Sequence, residues 1–310
     1  MIFPKPFAEG AILGLIAPAS PISRAECIQC KKCLEELGYR VILGESLKRG
    51  ANRSGYLAGG SKERAEDVNR MFQDSQIEAI FCVRGGYGSA QILEYLDYEV
   101  IRKNPKVFVG YSDITSLHSV FQRYGGFVTF HGPMVKTDLL QRRKHMDLSY
   151  MLESLGAACN MQDVISFVNP PGEKMDVIRE GEAVGRLAGG NLSVLAKSLG
   201  TPYSPVLEGA ILFLEEVGES IPRIDMYLTQ LRYAGVFQQI HGILLGDFTD
   251  CTNERYDHNL KIEVFLREWF WDLKIPVMGN LWSDHRVPMG TLPMGAKCRM
   301  GDGKLRFYKE

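Results

Sequence analysis

Apolar and polar positions along the first 130 residues fall into two patterns, short continuous apolar runs and longer stretches with helical spacing. The runs "AILGLIAP", "YRVILG", "IEAIFCVRGG", "KVFVG" and "FVTF" predict strands. Between them, Arg24 to Leu37, "SKERAEDVNRMFQD", "SAQILEYL" and the stretch from Asp113 to about Tyr124 predict helices. From about Gly132 to Gly181 the periodicity weakens to a short helix near "HMDLSYMLESL" and a turn at "NPPGEK". A second alternation follows: "EAVGRLAGG" leads into the helix "NLSVLAKSLG", "AILFLEE" and "HGILLGDF" read as strands, and "RIDMYLTQLRYAG" and "KIEVFLREWFWDL" as helices. "KCRMGDGKLRFY" predicts a closing hairpin around Asp302-Gly303.

Strands alternating with helices build a parallel sheet covered on both faces. The chain therefore reads as α/β, with a parallel-sheet domain of Rossmann-like or flavodoxin-like type over residues 1–135. A connecting segment over 136–180 and a second, mixed α/β domain over 181–310 complete it. Ligands of such sheets gather at the carboxyl ends of the strands. Three loops belong there: "APASP" (17–21), "RGGYG" (84–88) and "GYSD" (110–113).

Composition narrows the partners. Thirty-six basic against 37 acidic residues leave a net charge of −1, which calls for neither nucleic acid nor an acidic membrane surface. No run of about 18 apolar residues occurs, so the protein reads as soluble and cytoplasmic, with a small molecule as its partner. Seven cysteines do not make a disulfide framework. Cys27, Cys30 and Cys33 recur with Leu34 and Leu37 at helical spacing, which makes them a core-facing stripe. No metal-ligand spacing appears, and "RGGYGS" departs from the dinucleotide fingerprint, so neither a metal nor another cofactor is expected.

Ser112 stands between a strand and a helix, where a serine serves either as a helix cap or as a nucleophile. If it attacks, the Asp113 backbone N–H and an amide of Gly85 or Gly86 are the oxyanion donors. The base is one of six histidines. His118 points along its helix, His145 and His258 lie in polar, solvated segments, and His241 precedes a strand as a structural residue. His131 in "FHGP" and His285 in a Pro- and Gly-rich loop remain. The orienting carboxylate is sought in "ILFLEEVGE", where alternation lets only one of Glu215 and Glu216 enter the site. Glu216 and Glu219 read equally as solvated acids near the next helix's positive end.

The blocks "GYLAGGSKERAEDVNRMF", "AIFCVRGGYGS", "VGYSDITSLH", "FVTFHGP", "GRLAGGNLSVLAKSLGTPY", "ILFLEEVGE", "GILLGDFTDC" and "LPMGAKCRM" resemble, in order and across nearly the whole chain, the L,D-carboxypeptidase family of serine peptidases. That family contains the murein tetrapeptide carboxypeptidases and the microcin C self-immunity carboxypeptidases. The resemblance implies a Ser–Glu–His triad of Ser112, Glu215 and His285, with oxyanion amides at Asp113 and Gly86. It also implies a homodimer acting on a muropeptide, from which the terminal D-alanine is removed beyond an L-centre. Ser112 is then expected both to cap its helix and to attack. The alternatives are cleavage of a peptidyl or aminoacyl nucleotide, and a muropeptide-binding protein without catalysis. A carboxypeptidase must read a free carboxylate, for which Arg84, Arg186 and the amides around Asn191 are candidates. Two positions depart from the family pattern: Asp284 stands where a glycine usually precedes the histidine, and Met226 where an arginine is common.

Overall fold

The computed structural model describes residues 1–140, 147–252 and 260–309. The expectations for His145 and His258 lie outside the described residues. In chain order the strands of the first half are β1 (Ile12–Ile16), β2 (Arg40–Leu43), β3 (Ala79–Cys82), β4 (Val107–Gly110) and β5 (Thr129–His131). Those that follow are β6 (Val164–Phe167), β7 (Asp176–Arg179), β8 (Ala183–Asn191), β9 (Ile211–Val217), β10 (Gly242–Thr249), β11 (Val277–Gly279), β12 (Leu292–Met294), β13 (Lys297–Gly301) and β14 (Lys304–Tyr308).

The first sheet has the order β12-β5-β4-β3-β1-β2. Strands β1 to β5 run parallel in the order 2-1-3-4-5, the flavodoxin-like arrangement, and β12 closes the edge antiparallel to β5. Strands β3 and β4 are buried at every position, as a sheet covered on both faces requires. The topological switch lies between β1 and β3, so the loops 17–21 and 84–88 flank the crevice where such folds bind ligands.

The second sheet is mixed, in the order β6-β14-β13-β8-β9-β10-β11-β7. Strands β8 to β11 are parallel, and the hairpin β13–β14 adds to β8 antiparallel. Asp302 and Gly303 both take positive φ, 49° and 67°, which matches the tight turn expected of that dipeptide. Strands β6 and β7 fall in the segment read as a connection, and β12 returns from the second half into the first sheet. All three are edge strands; β6 and β7 are largely uncovered and β12 contains Pro293, so none presents the continuous apolar run of a central strand.

Helix Arg24–Glu36 buries Cys27, Cys30, Cys33 and Leu34, the stripe its spacing predicts. Burial pushes the Cys30 thiol up to about 12, so it stays protonated and packs as a small apolar group. "SAQILEYL" differs from its reading as an α-helix: Ser89–Tyr95 is a 3₁₀ helix that starts after Gly88 at φ 118°.

Candidate active site

Strand β4 ends at Gly110, where a side chain would meet Ile114 at 3.0 Å and the Cys82 sulfur at 3.2 Å. Two residues on, Ser112 opens a 3₁₀ turn (Ser112–Ile114) with φ +64°, a left-handed conformation that costs an L-residue about 1–2 kcal/mol. The cap position belongs to Tyr111, and no side-chain cap hydrogen bond forms there. The expectation that Ser112 caps the helix is thereby corrected: Ser112 stands inside the turn, one residue past the cap position. Among the described residues the Ser112 hydroxyl makes no hydrogen bond. Strain of this kind persists where the surrounding structure holds it, commonly at functional sites.

The loop after β3 meets this turn closely. A Cβ on Gly85 would stand 3.1 Å from Ser112 Cβ and 3.3 Å from both Ser112 Oγ and the Asp113 nitrogen. Only a glycine leaves that amide and hydroxyl open. The Asp113 carboxylate is buried and accepts from the Ser89 N–H at 2.8 Å; burial raises its pKa, which Ser89, Gly88 and Arg64 oppose. Gly86 has φ 108° and sits against Ser20, whose hydroxyl accepts the Tyr87 N–H at 3.2 Å.

Glu215 and His285 come together although 70 residues separate them. Glu215, wholly buried near the end of β9, accepts from His285 Nδ1 at 2.8 Å. Burial pushes the Glu215 carboxyl up, with Glu216 and Asp284 adding to the rise, while His285 pulls it down. Burial disfavours the His285 imidazolium, but the charge and hydrogen bond of Glu215, helped by Asp284 and Asp138, more than offset it and the pKa is raised. The His285 ring packs edge-on against Tyr111 at 5.0 Å, one residue before Ser112. No hydrogen bond joins Ser112 to His285 among the described residues.

The other histidines separate by environment. His131 is fully buried at the end of β5 and meets no carboxylate among the described residues, and burial pushes its pKa well down. His118 is held between Thr129 Oγ1 and Gly110 O, both at 2.8 Å, with a pKa lowered to about 4 by burial. His241 lies 2.9 Å from Val184 O through Nδ1, a structural contact. Of the two candidate bases, then, only His285 meets a carboxylate.

Asp284 is buried and committed. It accepts from the Asp247 N–H at 2.7 Å and from the Arg286 N–H at 2.8 Å and Nη2 at 2.8 Å, and so braces the histidine loop. Arg286 also lies over the Trp282 ring at 4.4 Å. Met226 is exposed on helix Ile221–Tyr233, where it contributes nothing to the site.

A cleft of about 390 Å³ opens at Ser112 and is lined by Gly86, Tyr87, Asp113, Asn191, Lys197, Tyr203, Glu216 and Glu219 among others. Glu216 is not the solvated acid its position suggested. It is buried and accepts from Asn191 Nδ2 at 2.7 Å, Ser193 N at 2.8 Å and Val217 N at 3.0 Å. Both glutamates therefore border the site, from opposite faces of β9. Glu219 is part-buried and accepts from the Tyr227 hydroxyl at 3.3 Å.

The candidate carboxylate readers divide. Asn191 lines the cleft, but its N–H donates to Thr115 Oγ1 at 3.0 Å, its Nδ2 donates to Glu216 Oε1 at 2.7 Å, and its Oδ1 caps helix Leu192–Ser198 by accepting from the Val194 N–H, so it is engaged within the protein. Arg186 is exposed five residues upstream on β8, about 16 Å along the strand, and does not line the cleft. Arg84 is half-buried beside the glycine loop, its Nη2 3.7 Å from the place of a Gly86 Cβ. Lys197, which the sequence did not single out, is the cation on the cleft wall; it reads there as one polar position of an amphipathic helix. Arg64 was missed as well, and its signal was present: it shares a helical face with Val68, Met71 and Phe72. Among the described residues no group of three or more His, Cys, Asp or Glu is placed to hold a metal ion.

Residues 13–132 match the LD-carboxypeptidase N-terminal domain and residues 184–300 the LD-carboxypeptidase C-terminal domain. A probable murein peptide carboxypeptidase of Bacillus subtilis is 36% identical over 297 residues, 96% of this chain and 91% of that protein. The chain belongs to the LD-carboxypeptidase family. The murein tetrapeptide carboxypeptidase of Pseudomonas aeruginosa is 32% identical, covering 95% of this chain and 94% of the relative. A microcin C7 self-immunity protein of Escherichia coli is 27% identical over 94% and 91% of the two chains. A solved structure of a microcin C7 self-immunity protein superposes with a TM-score of 0.89 over 100% of this chain and 99% of that one, at 24% identity, and so shares the fold.

Proposed function

We propose that the protein is a serine carboxypeptidase that removes the terminal D-alanine from murein tetrapeptide by hydrolysing an L,D-peptide bond. The observation that carries this reading is the buried Glu215–His285 hydrogen bond, set against Tyr111 and hence beside the strained Ser112 turn. With Nδ1 engaged by Glu215, the second ring nitrogen of His285 is left for the serine proton. Catalytic hydrogen bonds are commonly long before substrate binds, so contact between Ser112 and His285 is assigned to the substrate complex. Ser112 Oγ attacks the carbonyl carbon, His285 takes its proton, and the Asp113 and Gly86 amides receive the oxyanion. Collapse passes that proton to the departing D-alanine amine, and water then hydrolyses the acyl-enzyme. Lys197 supplies a cation within the cleft for a free carboxylate. The cytoplasmic setting in murein recycling and the homodimer belong to the same proposal.

Mass analysis of a murein tetrapeptide digest tests it: the protein releases alanine from the carboxyl end, and His285→Ala does not. Intact tetrapeptide after prolonged incubation with the unsubstituted protein overturns the reading. One observation favours the microcin-immunity alternative. Tyr87, 57% exposed on the glycine loop, lines the cleft and pairs with Tyr56 at 6.1 Å, a surface on which a nucleobase could stack. An aminoacyl sulfamoyl adenosine assayed in parallel separates the two substrates.

A further inference from the structure

We infer that Ser89 and Arg64 are positioning residues, which together set the separation of the two amides, on Asp113 and Gly86, that receive the oxyanion. The inference rests on the serine-peptidase reading above. Its physical problem is that the two donors belong to different loops: Asp113 follows β4, and Gly86 follows β3. Both must stand about 2.7–3.1 Å from one oxygen atom, so their spacing needs side chains that tie the loops together.

Ser89 ties the glycine loop to Asp113 at two points. Its N–H donates to Asp113 Oδ2 at 2.8 Å, and its hydroxyl donates to Asp113 O at 2.5 Å. Ser89 is fully buried, so no water competes for either bond. Two contacts to one residue fix its orientation as well as its place, and with it the direction of its N–H.

Arg64 holds the other side of the same loop. Its buried guanidinium donates through Nη1 to Pro18 O at 2.5 Å and to Gly88 O at 2.7 Å. Through Nη2 it donates to Gln91 Oε1 at 3.0 Å and Ser61 Oγ at 3.4 Å. One planar cation thereby joins the loop after β1 to the loop after β3. Gly88 is pressed against it: a Cβ there would lie 3.1 Å from Nη1. The Arg64 hydrogen bonds run to neutral oxygens, with the charge of buried Asp113 acting on it only through space, so each bond serves to hold a loop rather than to pair a charge.

The test compares kcat, KM and inhibitor affinity in Ser89→Ala and Arg64→Met. The inhibitor is a tripeptide ending in the diamino-acid aldehyde. It forms a hemiacetal with Ser112, the serine proton ending on the former aldehyde oxygen, which then lies in the oxyanion pocket. A displacement of about 1 Å costs roughly a hundredfold. The expected result is a ten- to hundredfold loss of kcat in Ser89→Ala, on the scale of a displaced oxyanion donor. Aldehyde affinity falls in parallel, while uncleaved tetrapeptide binds equally to Ser112→Ala with and without the second change. Arg64→Met shows the same split; if it does not fold, Ser89→Ala alone decides. Folded Ser89→Ala with unaltered kcat, or with tetrapeptide and aldehyde weakened alike, overturns the inference. If the unsubstituted protein neither releases D-alanine nor takes the aldehyde, the functional reading itself falls and the inference with it.

Discussion

Replacing Glu215 by glutamine keeps the shape of the side chain and an oxygen within reach of His285 Nδ1, but removes a charge from a site with no solvent exposure. In the proposed reaction His285 begins neutral and becomes imidazolium as it takes the serine proton, so the carboxylate stabilises the later state selectively. A hydrogen bond to a buried charged group contributes about 1.5–3 kcal/mol, which converts to a roughly ten- to hundredfold loss in kcat for Glu215→Gln. KM changes less, because the ground state holds no imidazolium. The pH profile carries a second, independent signature. A base works unprotonated, so kcat/KM climbs as pH rises through the His285 pKa of the free enzyme. Burial lowers that pKa, yet Glu215 together with Asp284 and Asp138 lifts it above 6.5. Without the Glu215 charge, burial is the largest remaining influence and the acid limb moves to lower pH. D-alanine release, followed across the acid and neutral range for both proteins, measures the two effects together. An acid limb that stays in place, with kcat unaltered, would show that Glu215 does not act on His285 and would refute the reasoning.

The same substitution is expected to stabilise the fold at neutral pH. The folded Glu215 pKa is raised, chiefly by burial, and Oε1 is buried with no hydrogen-bond partner among the described residues, so the ionised carboxylate costs stability above its unfolded pKa and ceases to do so on acidification. A gain on the order of 1 kcal/mol, read as roughly 2–4 °C in Tm at neutral pH and vanishing in acid, is the outcome to look for. Ser112→Gly abolishes turnover and, by relieving the left-handed φ of 64°, raises stability by about 1 kcal/mol in denaturant titration. Gly85→Ala places a methyl 3.3 Å from the Ser112 hydroxyl and the Asp113 nitrogen, so kcat should fall far more than Tm. Asn191→Ala removes the helix cap and the 2.7 Å bond to buried Glu216, and is expected to cost about 3 kcal/mol of stability.

The parallel strands β1 to β5 of the first sheet and the turn at Ser112 were legible because each is written in consecutive residues. An apolar run such as "KVFVG" and the glycine that ends it carry their own signal, and so does the Asp302-Gly303 hairpin. Strands β6, β7 and β12 carry none: all three are edge strands, β6 and β7 are largely uncovered and lack a buried apolar run, and β12 contains Pro293. Ser112 was recognisable as a special position, but its left-handed backbone, which distinguishes a free hydroxyl from a cap, was not written in "GYSD". Arg64 could have been suspected from its place on an apolar face, though its acceptors, Pro18 and Gly88, lie on two other loops.

Residue order alone was enough for the α/β alternation, the loops that converge at the strand ends, and the blocks shared with the LD-carboxypeptidases. Read residue by residue it left His131 and His285 level, with only the family resemblance favouring His285, and it made Glu216 look solvated. Three dimensions separated these cases. His285 is the histidine that meets a buried carboxylate, and Glu216 is enclosed by three donors. The reason is that propensity and periodicity act between near neighbours, whereas desolvation and charge pairing depend on which remote segments the two sheets bring together.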